Sequence, residues 1–333
     1  MEKDPRTWLW TCRAGFEPDL ALEIGRGSGP AGPALVTSTG RPTDWPVFAR
    51  MGFPVAADIA ATGEAVAPAI AAALDAECAG RPRPWVLQAW VPDADETNPL
   101  SDFTAKLGEK VRAVRPDLDE HRMGEAAGVV RYGGVLAQVC VVSRDRAFVG
   151  AIAAQDCPTR AEGGRARSWM PRNSPSRAAR KLVEALDWFG FGPGPGERCV
   201  DLGAAPGGWT AVLLERKTQV IAVDPAKLAP DIRSAKGVTH VQASAFQYLP
   251  QHPVDWLFCD MAWRPLEVAE LLAKWGRRRL ANGLVANVKL PMKERVKFVR
   301  RILEIVAAGG WNDLRARHLY HDRDEFTLAA WRS

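Results

Sequence analysis

Two charged residues end apolar, strand-like runs, at positions where a proton could be exchanged with a bound reactant. Asp260 ends the run Val254-Asp-Trp-Leu-Phe-Cys-Asp, and Lys289 ends the run Gly283-Leu-Val-Ala-Asn-Val-Lys. Taken alone, the aspartate could form a turn and the lysine could simply reach the surface with its ammonium group. If the two runs are neighbouring parallel strands, the two side chains meet at one edge of a sheet. Lys289 is then a candidate base or orienting cation.

A proline- and glycine-containing turn between a strand-like and a helix-like run predicts a nucleotide-cofactor site. The turn lies in Cys199-Val-Asp-Leu-Gly-Ala-Ala-Pro-Gly-Gly-Trp209. It lacks both the dinucleotide pattern G-x-G-x-x-G and the phosphate-loop pattern with its lysine. It therefore suits an uncharged adenosine with an amino-acid tail, which favours S-adenosylmethionine (SAM) as the cofactor. The candidate cofactor-binding residues of the turn are Asp201, Gly203, Ala205, Pro206, Gly207, Gly208 and Trp209.

Asp224 is a further candidate for cofactor binding. It ends the next strand-like run, Val220-Ile-Ala-Val-Asp, at a suitable separation from the glycine turn. A carboxylate at this place can accept hydrogen bonds from both hydroxyls of an adenosine ribose. The alternative is an aspartate that caps a helix or forms a turn, and ribose binding is the favoured interpretation.

Strand-like and helix-like runs alternate through the second half of the chain. This pattern predicts an α/β fold with a seven-stranded, doubly wound, mostly parallel sheet. The predicted strands are Arg198–Gly203, Gln219–Asp224, Val238–Gln242, Val254–Asp260, Gly283–Lys289, Asn312–His318 and Glu325–Trp331. The predicted helices are Pro175–Phe189, Gly208–Arg216, Pro265–Leu280 and Met292–Ala307.

The first half of the chain, residues 1–155, predicts an α+β region without a catalytic motif. A stretch rich in Pro, Gly and Arg over residues 156–173 follows and predicts a linker, so the second domain should span residues 174–333. The predicted strands of the first half are Thr7–Cys12, Ala34–Ser38, Trp85–Val91 and Val135–Val142. Its predicted helices are Pro18–Ile24, Ala65–Cys78 and Leu100–Val114.

Composition limits the class of protein. Of the 333 residues, 47% are hydrophobic and 25% are charged, which is typical of a globular protein. No apolar run approaches the length of about 20 residues that spans a bilayer, and the charged start does not resemble a signal peptide. The six cysteines form no C-x-x-C pair, so we expect buried free thiols in a cytoplasmic protein without a metal site or a membrane partner.

Charge is spread unevenly over the chain. Residues 1–155 contain 16 Lys and Arg against 20 Asp and Glu, whereas residues 156–333 contain 28 against 19. The basic half also carries the glycine turn, which makes a polyanionic substrate plausible, although an ordinary solvated surface would show the same bias. The candidate RNA contacts are Arg177, Arg180, the run Lys274, Arg277, Arg278 and Arg279, and the run Lys293, Arg295, Lys297, Arg300 and Arg301.

The candidate residues, taken together, resemble a known family. Ser176-Arg-x-x-x-Lys181, the turn from Asp201 to Trp209, Asp260, Lys289 and Glu325 are similar in type and order to the FtsJ-type ribose 2′-O-methyltransferases. Lys181 and Glu325 would otherwise be interpreted as surface charges. The resemblance covers residues 174–333 and implies a Rossmann-like SAM-dependent methyltransferase domain. It also implies a Lys-Asp-Lys-Glu catalytic tetrad, and it adds Ser176 and Asp260, the latter beside the reactive end of the cofactor, to the cofactor-binding residues. The implied tetrad is Lys181, Asp260, Lys289 and Glu325.

Further motifs resemble the RlmM subfamily, which methylates the ribose 2′-hydroxyl of a cytidine in bacterial 23S ribosomal RNA. They include Asn287-x-Lys-Leu-Pro-Met-Lys293 and Leu319-Tyr-His-Asp-Arg-x-Glu325, and more loosely Cys12-Arg-Ala-Gly-Phe-Glu17. The resemblance implies an RNA-binding THUMP-like domain at about residues 50–155, and 23S ribosomal RNA or a large-subunit assembly intermediate as the partner. The sequence departs from the family pattern at Ser244, where the family usually has an aspartate at the adenine amino group. A serine there should bind SAM more weakly than an aspartate would.

The reaction implied by this resemblance is methyl transfer from SAM to a ribose hydroxyl, with Lys289 as the base. A lysine acts as a base only if its pKa falls from about 10.4, which neighbouring positive charge and desolvation both favour. Two alternatives remain at this point: a methyltransferase for a small-molecule hydroxyl, and a non-catalytic RNA-binding protein that retains the fold. A dinucleotide oxidoreductase is disfavoured by the glycine spacing.

Overall fold

The computed structural model of the protein describes residues 6–78, 84–114, 122–124, 126–166, 169–171 and 174–332. The chain divides into two units, Met1–Ala166 and Arg167–Ser333. Each unit contains one seven-stranded sheet.

The N-terminal unit is built on a sheet with the strand order β2-β3-β1-β4-β7-β6-β5. Its strands are β1 (Thr7–Thr11), β2 (Ser28–Gly32), β3 (Leu35–Thr39), β4 (Met51–Ala60), β5 (Trp85–Trp90), β6 (Val135–Ser143) and β7 (Arg146–Ala153). Its helices are α1 (Glu17–Ile24), α2 (Val66–Cys78), α3 (Ser101–Val114) and α4 (Ala126–Arg131). All strand pairs are antiparallel except β5 with β6. Apolar residues of α2 and α3, among them Ile70 and Leu107, pack with Val139 and Val149 in one core.

The sequence patterns anticipated β1, β3, β5, β6 and the first three helices, but not β2, β4, β7 or α4. The missed strands carry glycine or proline, which usually mark turns: Pro30 in β2, Pro54 in β4 and Gly150 in β7. Gly150 lies where a Cβ would be 2.1 Å from the carbonyl oxygen of Pro54. In this place the glycine permits close packing of two strands rather than a turn.

The C-terminal unit confirms the predicted seven-stranded, mostly parallel sheet. Its strands are β8 (Arg198–Leu202), β9 (Gln219–Val223), β10 (Val238–Val241), β11 (Val254–Cys259), β12 (Ala281–Lys289), β13 (Asn312–Arg317) and β14 (Glu325–Trp331). They lie in the order β10-β9-β8-β11-β12-β14-β13. The first five are parallel, and β14 is antiparallel to both of its neighbours. Cys199 and Cys259 are buried free thiols within this sheet, as predicted.

Among its described residues, the helices of this unit are α5 (Ala179–Phe189), α6 (Gly208–Glu215), α7 (Pro230–Arg233), α8 (Pro265–Arg277) and α9 (Arg295–Ala307). Leu182 and Leu186 of α5 and Val212 of α6 share a core with Trp256 and Phe258 of β11. Apolar residues recur along α5 at three- and four-residue spacing, so that they share one face of a helix and pack against the sheet.

Strand direction decides which residues can meet. The carboxyl ends of parallel strands lie at the same edge of a sheet. This edge therefore holds the residues that directly follow β8, β9 and β11, together with the last residue of β12. They are Gly203, Asp224, Asp260 and Lys289. Because β14 runs in the opposite direction, its first residue, Glu325, lies at the same edge. We call it the carboxyl edge.

Candidate active site

Lys289 and Glu325 are brought together by the pairing of two strands. They are direct partners in the antiparallel ladder of β12 and β14. Side chains of such partners lie on the same face of the sheet. Lys289 Nζ donates a hydrogen bond of 2.9 Å to Glu325 Oε2. The last residue of one strand is therefore tied to the first residue of the other.

Lys181 reaches the same carboxylate from helix α5. Its ammonium group forms an ion pair with Glu325 Oε1, so Glu325 binds one lysine with each oxygen. The side chain of Glu325 is 5% exposed, that of Lys181 14% and that of Lys289 34%. Lys289 is therefore the amine that an incoming substrate reaches most easily.

The electrostatics of this cluster are those of a partly buried set of charges. Burial alone would raise the pKa of Glu325, but hydrogen bonds and charges from Lys181 and Lys289 outweigh it and lower the pKa to about 2. Burial would lower the pKa of Lys181, yet the charges of Asp260 and Glu325 raise it above its usual value. Burial raises the pKa of Asp260, and the two lysines only partly counteract this. The four predicted tetrad residues thus act on one another in the folded chain.

A buried polar network supports Lys181, and the sequence interpretation did not assign it a role. Asn287 Oδ1 lies 3.5 Å from Lys181 Nζ, while Asn287 Nδ2 donates to Asp322 Oδ1 at 2.7 Å and to Thr327 Oγ1 at 3.2 Å. Asn287 and Thr327 are cross-strand partners one step along the face that carries Lys289 and Glu325. The signal in the sequence was the alternation Asn287-Val-Lys289, which places both polar side chains on one face of a strand.

Glu184, one turn after Lys181 in α5, holds the segment before β14. Its two carboxylate oxygens accept hydrogen bonds from the backbone amides of Tyr320 and His321, at 2.7 and 2.9 Å. The same helix therefore positions both a tetrad lysine and the loop that leads to Glu325.

The glycine turn connects β8 with α6 and is closely packed. Gly203 has φ +77°, and a Cβ there would lie 2.7 Å from Met261, the residue that follows Asp260. Gly207 has φ +114°, and a Cβ on Gly208 would lie 2.9 Å from Cβ of Ser176. The Ala205–Pro206 peptide bond is cis. The turn therefore depends on glycine both for its backbone angles and for its close approach to the segments carrying Asp260 and Ser176.

Hydrogen bonds of Trp209 and Ser176 meet at Ala178, the residue before α5. Trp209 is buried in the core and its indole Nε1 donates to the carbonyl of Ala178 at 3.0 Å. Ser176 Oγ accepts a hydrogen bond from the backbone amide of Ala178 at 3.1 Å. The Trp209 bond thus connects the turn with the residue before α5, whereas the Ser176 bond lies within that same segment.

Asp201 lies inside the fold, behind the glycine turn. It is completely buried within β8, and Thr210 Oγ1 of α6 donates to its Oδ2 at 2.7 Å. Its Oδ1 is buried and has no hydrogen-bond partner among the described residues. Burial raises the pKa of Asp201 to about 7. Asp201 thus holds α6 against β8 and supports the turn from behind.

Asp224 and Ser244 follow β9 and β10 at the carboxyl edge. Asp224 is half-buried, its Oδ2 accepts from the amide of Ala205 at 3.1 Å, and its Oδ1 accepts from the amide of Ala226 at 2.8 Å. Each carboxylate oxygen has a second lone pair available for a ligand. Ser244 Oγ accepts a 3.4 Å hydrogen bond from the amide of Phe246, so Ser244 also belongs to a turn.

Sequence comparisons now add to this geometry. The FtsJ-like methyltransferase family matches residues 175–299. Ribosomal RNA large subunit methyltransferase M of Alkalilimnicola ehrlichii is 34% identical, and the alignment covers 99% of this chain and 98% of that protein. The protein of the same name from Halorhodospira halophila is 36% identical, with 98% and 96% covered. The chain belongs to the ribosomal RNA large subunit methyltransferase M family.

Membership of the ribosomal RNA large subunit methyltransferase M family confirms the predicted resemblance, the predicted enzyme class and the predicted fold of the C-terminal unit. Among the described residues, no helix has the length and apolar character needed to cross a membrane.

Proposed function

We propose that this enzyme transfers the methyl group of SAM to a ribose 2′-hydroxyl of RNA, most specifically of a cytidine in 23S ribosomal RNA. The observation that carries the proposal is the cluster in which Glu325 binds Lys181 and Lys289 beside Asp260 at the carboxyl edge. The names of its relatives support ribosomal RNA as the substrate. Such a substrate would place the enzyme where ribosomes assemble, in agreement with the cytoplasmic location expected from the sequence.

The residues of the carboxyl edge fit SAM. The close approach at Gly203 brings bare backbone to the edge, and α6 begins directly after the turn. The lone pairs that remain on Asp224 would accept the ribose hydroxyls, and Ser244 would contact the adenine amino group. In this proposal Ala205, Pro206, Gly207 and Gly208 surround the cofactor, while Asp201, Trp209 and Ser176 support that turn. When bound, SAM supplies a methyl group on a positively charged sulfur.

Methyl transfer requires alignment of the ribose oxygen and removal of its proton. In the proposed mechanism Lys289 is the base that accepts that proton, because its side chain is the more exposed of the two lysines. Lys181 stays charged and keeps Glu325 in place, in agreement with its raised pKa. No step of this mechanism uses a metal ion.

The deciding experiment measures transfer of labelled methyl from SAM to deproteinised large-subunit RNA. Assembled ribosomes, protein and small-molecule hydroxyls serve as alternative acceptors. The modified ribose is then mapped through its resistance to alkaline cleavage. Labelling of a small molecule but not of RNA would support the alternative small-molecule methyltransferase, and binding of RNA without any labelling would support a non-catalytic protein.

The RNA is proposed to approach from the carboxyl edge. The basic runs then fall into two groups, one near this edge and one at the opposite end of β12. Lys293 and Arg295 follow β12 at this edge, close in sequence to Lys289. Arg279 lies two residues before β12, at the opposite end of that strand, and the eight steps of about 3.3 Å from Ala281 to Lys289 place the two strand ends roughly 26 Å apart. The exposed arginines at the end of α8 would therefore contact a distant part of the RNA, whereas the start of α9 lies beside the reacting ribose.

The THUMP-like RNA-binding role of residues 50–155 also remains a proposal. Its support is that β4 to β7, α2 and α3 share one core, so this region can fold around its own apolar residues. The excess of acidic residues over 1–155 means that RNA would bind a local patch rather than the whole surface. Crosslinking of the full-length enzyme to large-subunit RNA, with mapping of the crosslinked peptides, tests this assignment.

A further inference from the structure

Large apolar side chains are exposed beside the tetrad. Trp263 is 52% exposed and Met292 is 88% exposed. Trp263 follows the tetrad residue Asp260 by three positions, and Met292 follows Lys289 by three positions. Because three residues span at most about 11 Å, the backbone of Trp263 lies within that distance of Asp260, and the backbone of Met292 lies within that distance of Lys289. Exposure of a tryptophan costs hydrophobic free energy unless a ligand covers it.

The ring of Trp263 is held in place although half of the residue is exposed. Its Nε1 donates a 2.7 Å hydrogen bond to Glu267 Oε2 in the first turn of α8. On another side it contacts the ring of Phe246, with 5.6 Å between ring centroids and 52° between planes. These contacts fix the orientation of the indole and leave part of it open to solvent. A packing role alone would explain the contact with Phe246 but not the remaining exposure.

The charge around Trp263 indicates what could cover it. Arg264 is the next residue and Lys293 follows Met292, and both are exposed. Arg264 is paired with Glu267 at 3.0 Å, whereas Lys293 forms no ion pair among the residues that the structure describes. A planar apolar surface next to an exposed arginine, with Lys293 exposed after the neighbouring strand β12, suits a nucleobase joined to a phosphate backbone. A purely apolar partner would not benefit from the cations.

We propose that Trp263, supported by Phe246, stacks on an unpaired nucleobase of the RNA substrate, at or next to the methylated nucleotide. The inference rests on the proposed function and adds a residue that selects single-stranded RNA at the acceptor site. Stacking tolerates every base, so Trp263 contributes affinity and positioning rather than a choice among the four bases.

The test compares Trp263→Ala and Trp263→Phe with the unchanged enzyme. Trp263→Ala should raise the KM for deproteinised large-subunit RNA by at least about fivefold. Trp263→Phe should restore most of this loss, and the Kd for SAM should stay the same in both variants. Leu22→Ala removes another exposed apolar side chain, 65% exposed and in the N-terminal unit, and should change neither quantity.

A binding experiment separates bases from phosphates. Trp263→Ala should weaken binding of a single-stranded oligocytidylate but not of an abasic oligonucleotide of equal length. Equal weakening of both, no weakening of either, or a matching loss of SAM affinity would overturn the stacking assignment. These measurements do not depend on turnover, so an enzyme that methylates no RNA would refute the proposed function while the stacking comparison still gives its own answer.

Discussion

Lys289 and Glu325 face each other across the antiparallel ladder of β12 and β14, with 2.9 Å between Nζ and Oε2. The other oxygen of Glu325 binds Lys181, so one carboxylate sets the positions of two ammonium groups. Asp260 adds a second negative charge that acts on both lysines. A cluster of this kind can hold one lysine charged while the other exchanges a proton with a substrate.

Lys289→Ala tests the proposed base. We expect methyl transfer to fall by about 10²- to 10⁴-fold, which is the usual contribution of general base catalysis. SAM binding, measured by calorimetry, should remain close to that of the unchanged enzyme, since the proposed cofactor contacts lie on other residues. Lys236→Ala, at an exposed lysine after α7, provides the matched control. Turnover near the normal rate in Lys289→Ala would remove this residue from the mechanism.

Glu325→Gln tests the depressed pKa of Glu325. Because the pKa lies at about 2 in the folded protein and near 4.5 otherwise, ionised Glu325 stabilises the fold above about pH 4.5. That contribution is lost progressively as the pH falls towards 2. We therefore expect the difference in unfolding free energy between the unchanged enzyme and Glu325→Gln to shrink over this range. Denaturant titrations at several pH values measure it.

The control for this variant is Glu304→Gln, at an exposed glutamate that pairs with Arg301 on α9. The difference in unfolding free energy between Glu304→Gln and the unchanged enzyme should depend little on pH, because surface ion pairs contribute little to stability. A constant difference between the unchanged enzyme and Glu325→Gln from pH 5 to pH 2 would contradict the assigned pairing.

Asp201→Asn tests the raised pKa of the buried aspartate behind the glycine turn. Burial raises that pKa to about 7, so the folded chain holds a proton that the unfolded chain releases near pH 4. The stability that this proton provides is full below about pH 4 and is lost as the pH rises to 7. The free energy of unfolding of Asp201→Asn should lack this pH dependence. Its difference from that of the unchanged protein should therefore shift in favour of the variant by up to about a few kcal/mol between pH 4 and pH 8.

Unfolding by denaturant without SAM, at pH 4 and at pH 8, measures the effect. Asp231→Asn, at an exposed aspartate in α7, serves as the comparison and should leave the pH dependence intact. Parallel stability curves for Asp201→Asn and the unchanged protein would show that Asp201 is ionised in the fold throughout this range.

Ser244→Asp tests the departure from the family pattern. A carboxylate would add charge to the proposed hydrogen bond with the adenine amino group, and a gain of about 1 kcal/mol corresponds to a roughly fivefold tighter Kd for SAM. Ser244→Ala should bind no more tightly than the unchanged enzyme. Calorimetric titration with SAM distinguishes these outcomes, and an unchanged Kd in Ser244→Asp would count against contact between residue 244 and adenine.

Local patterns were sufficient to predict the strands of the C-terminal unit and four of its helices, but not the short helix α7. The seven predicted strands are present, because short β-branched and apolar runs between glycine and proline signals indicate strands. The same signals misled in the N-terminal unit, where Pro54 lies inside β4 and Gly150 inside β7. There glycine and proline serve the packing of strands, which depends on partners distant in sequence.

Residue types and order alone determined the cofactor turn, the acidic and basic residues at strand ends, and the family that they resemble. The tertiary structure decided how those residues meet. The antiparallel insertion of β14 beside β12 puts Glu325 opposite Lys289, and α5 brings Lys181 to the same carboxylate. It also buries Asp201 behind the turn and exposes Trp263 beside the tetrad. Strand order and direction bring together residues more than a hundred positions apart, and no local spacing encodes such contacts.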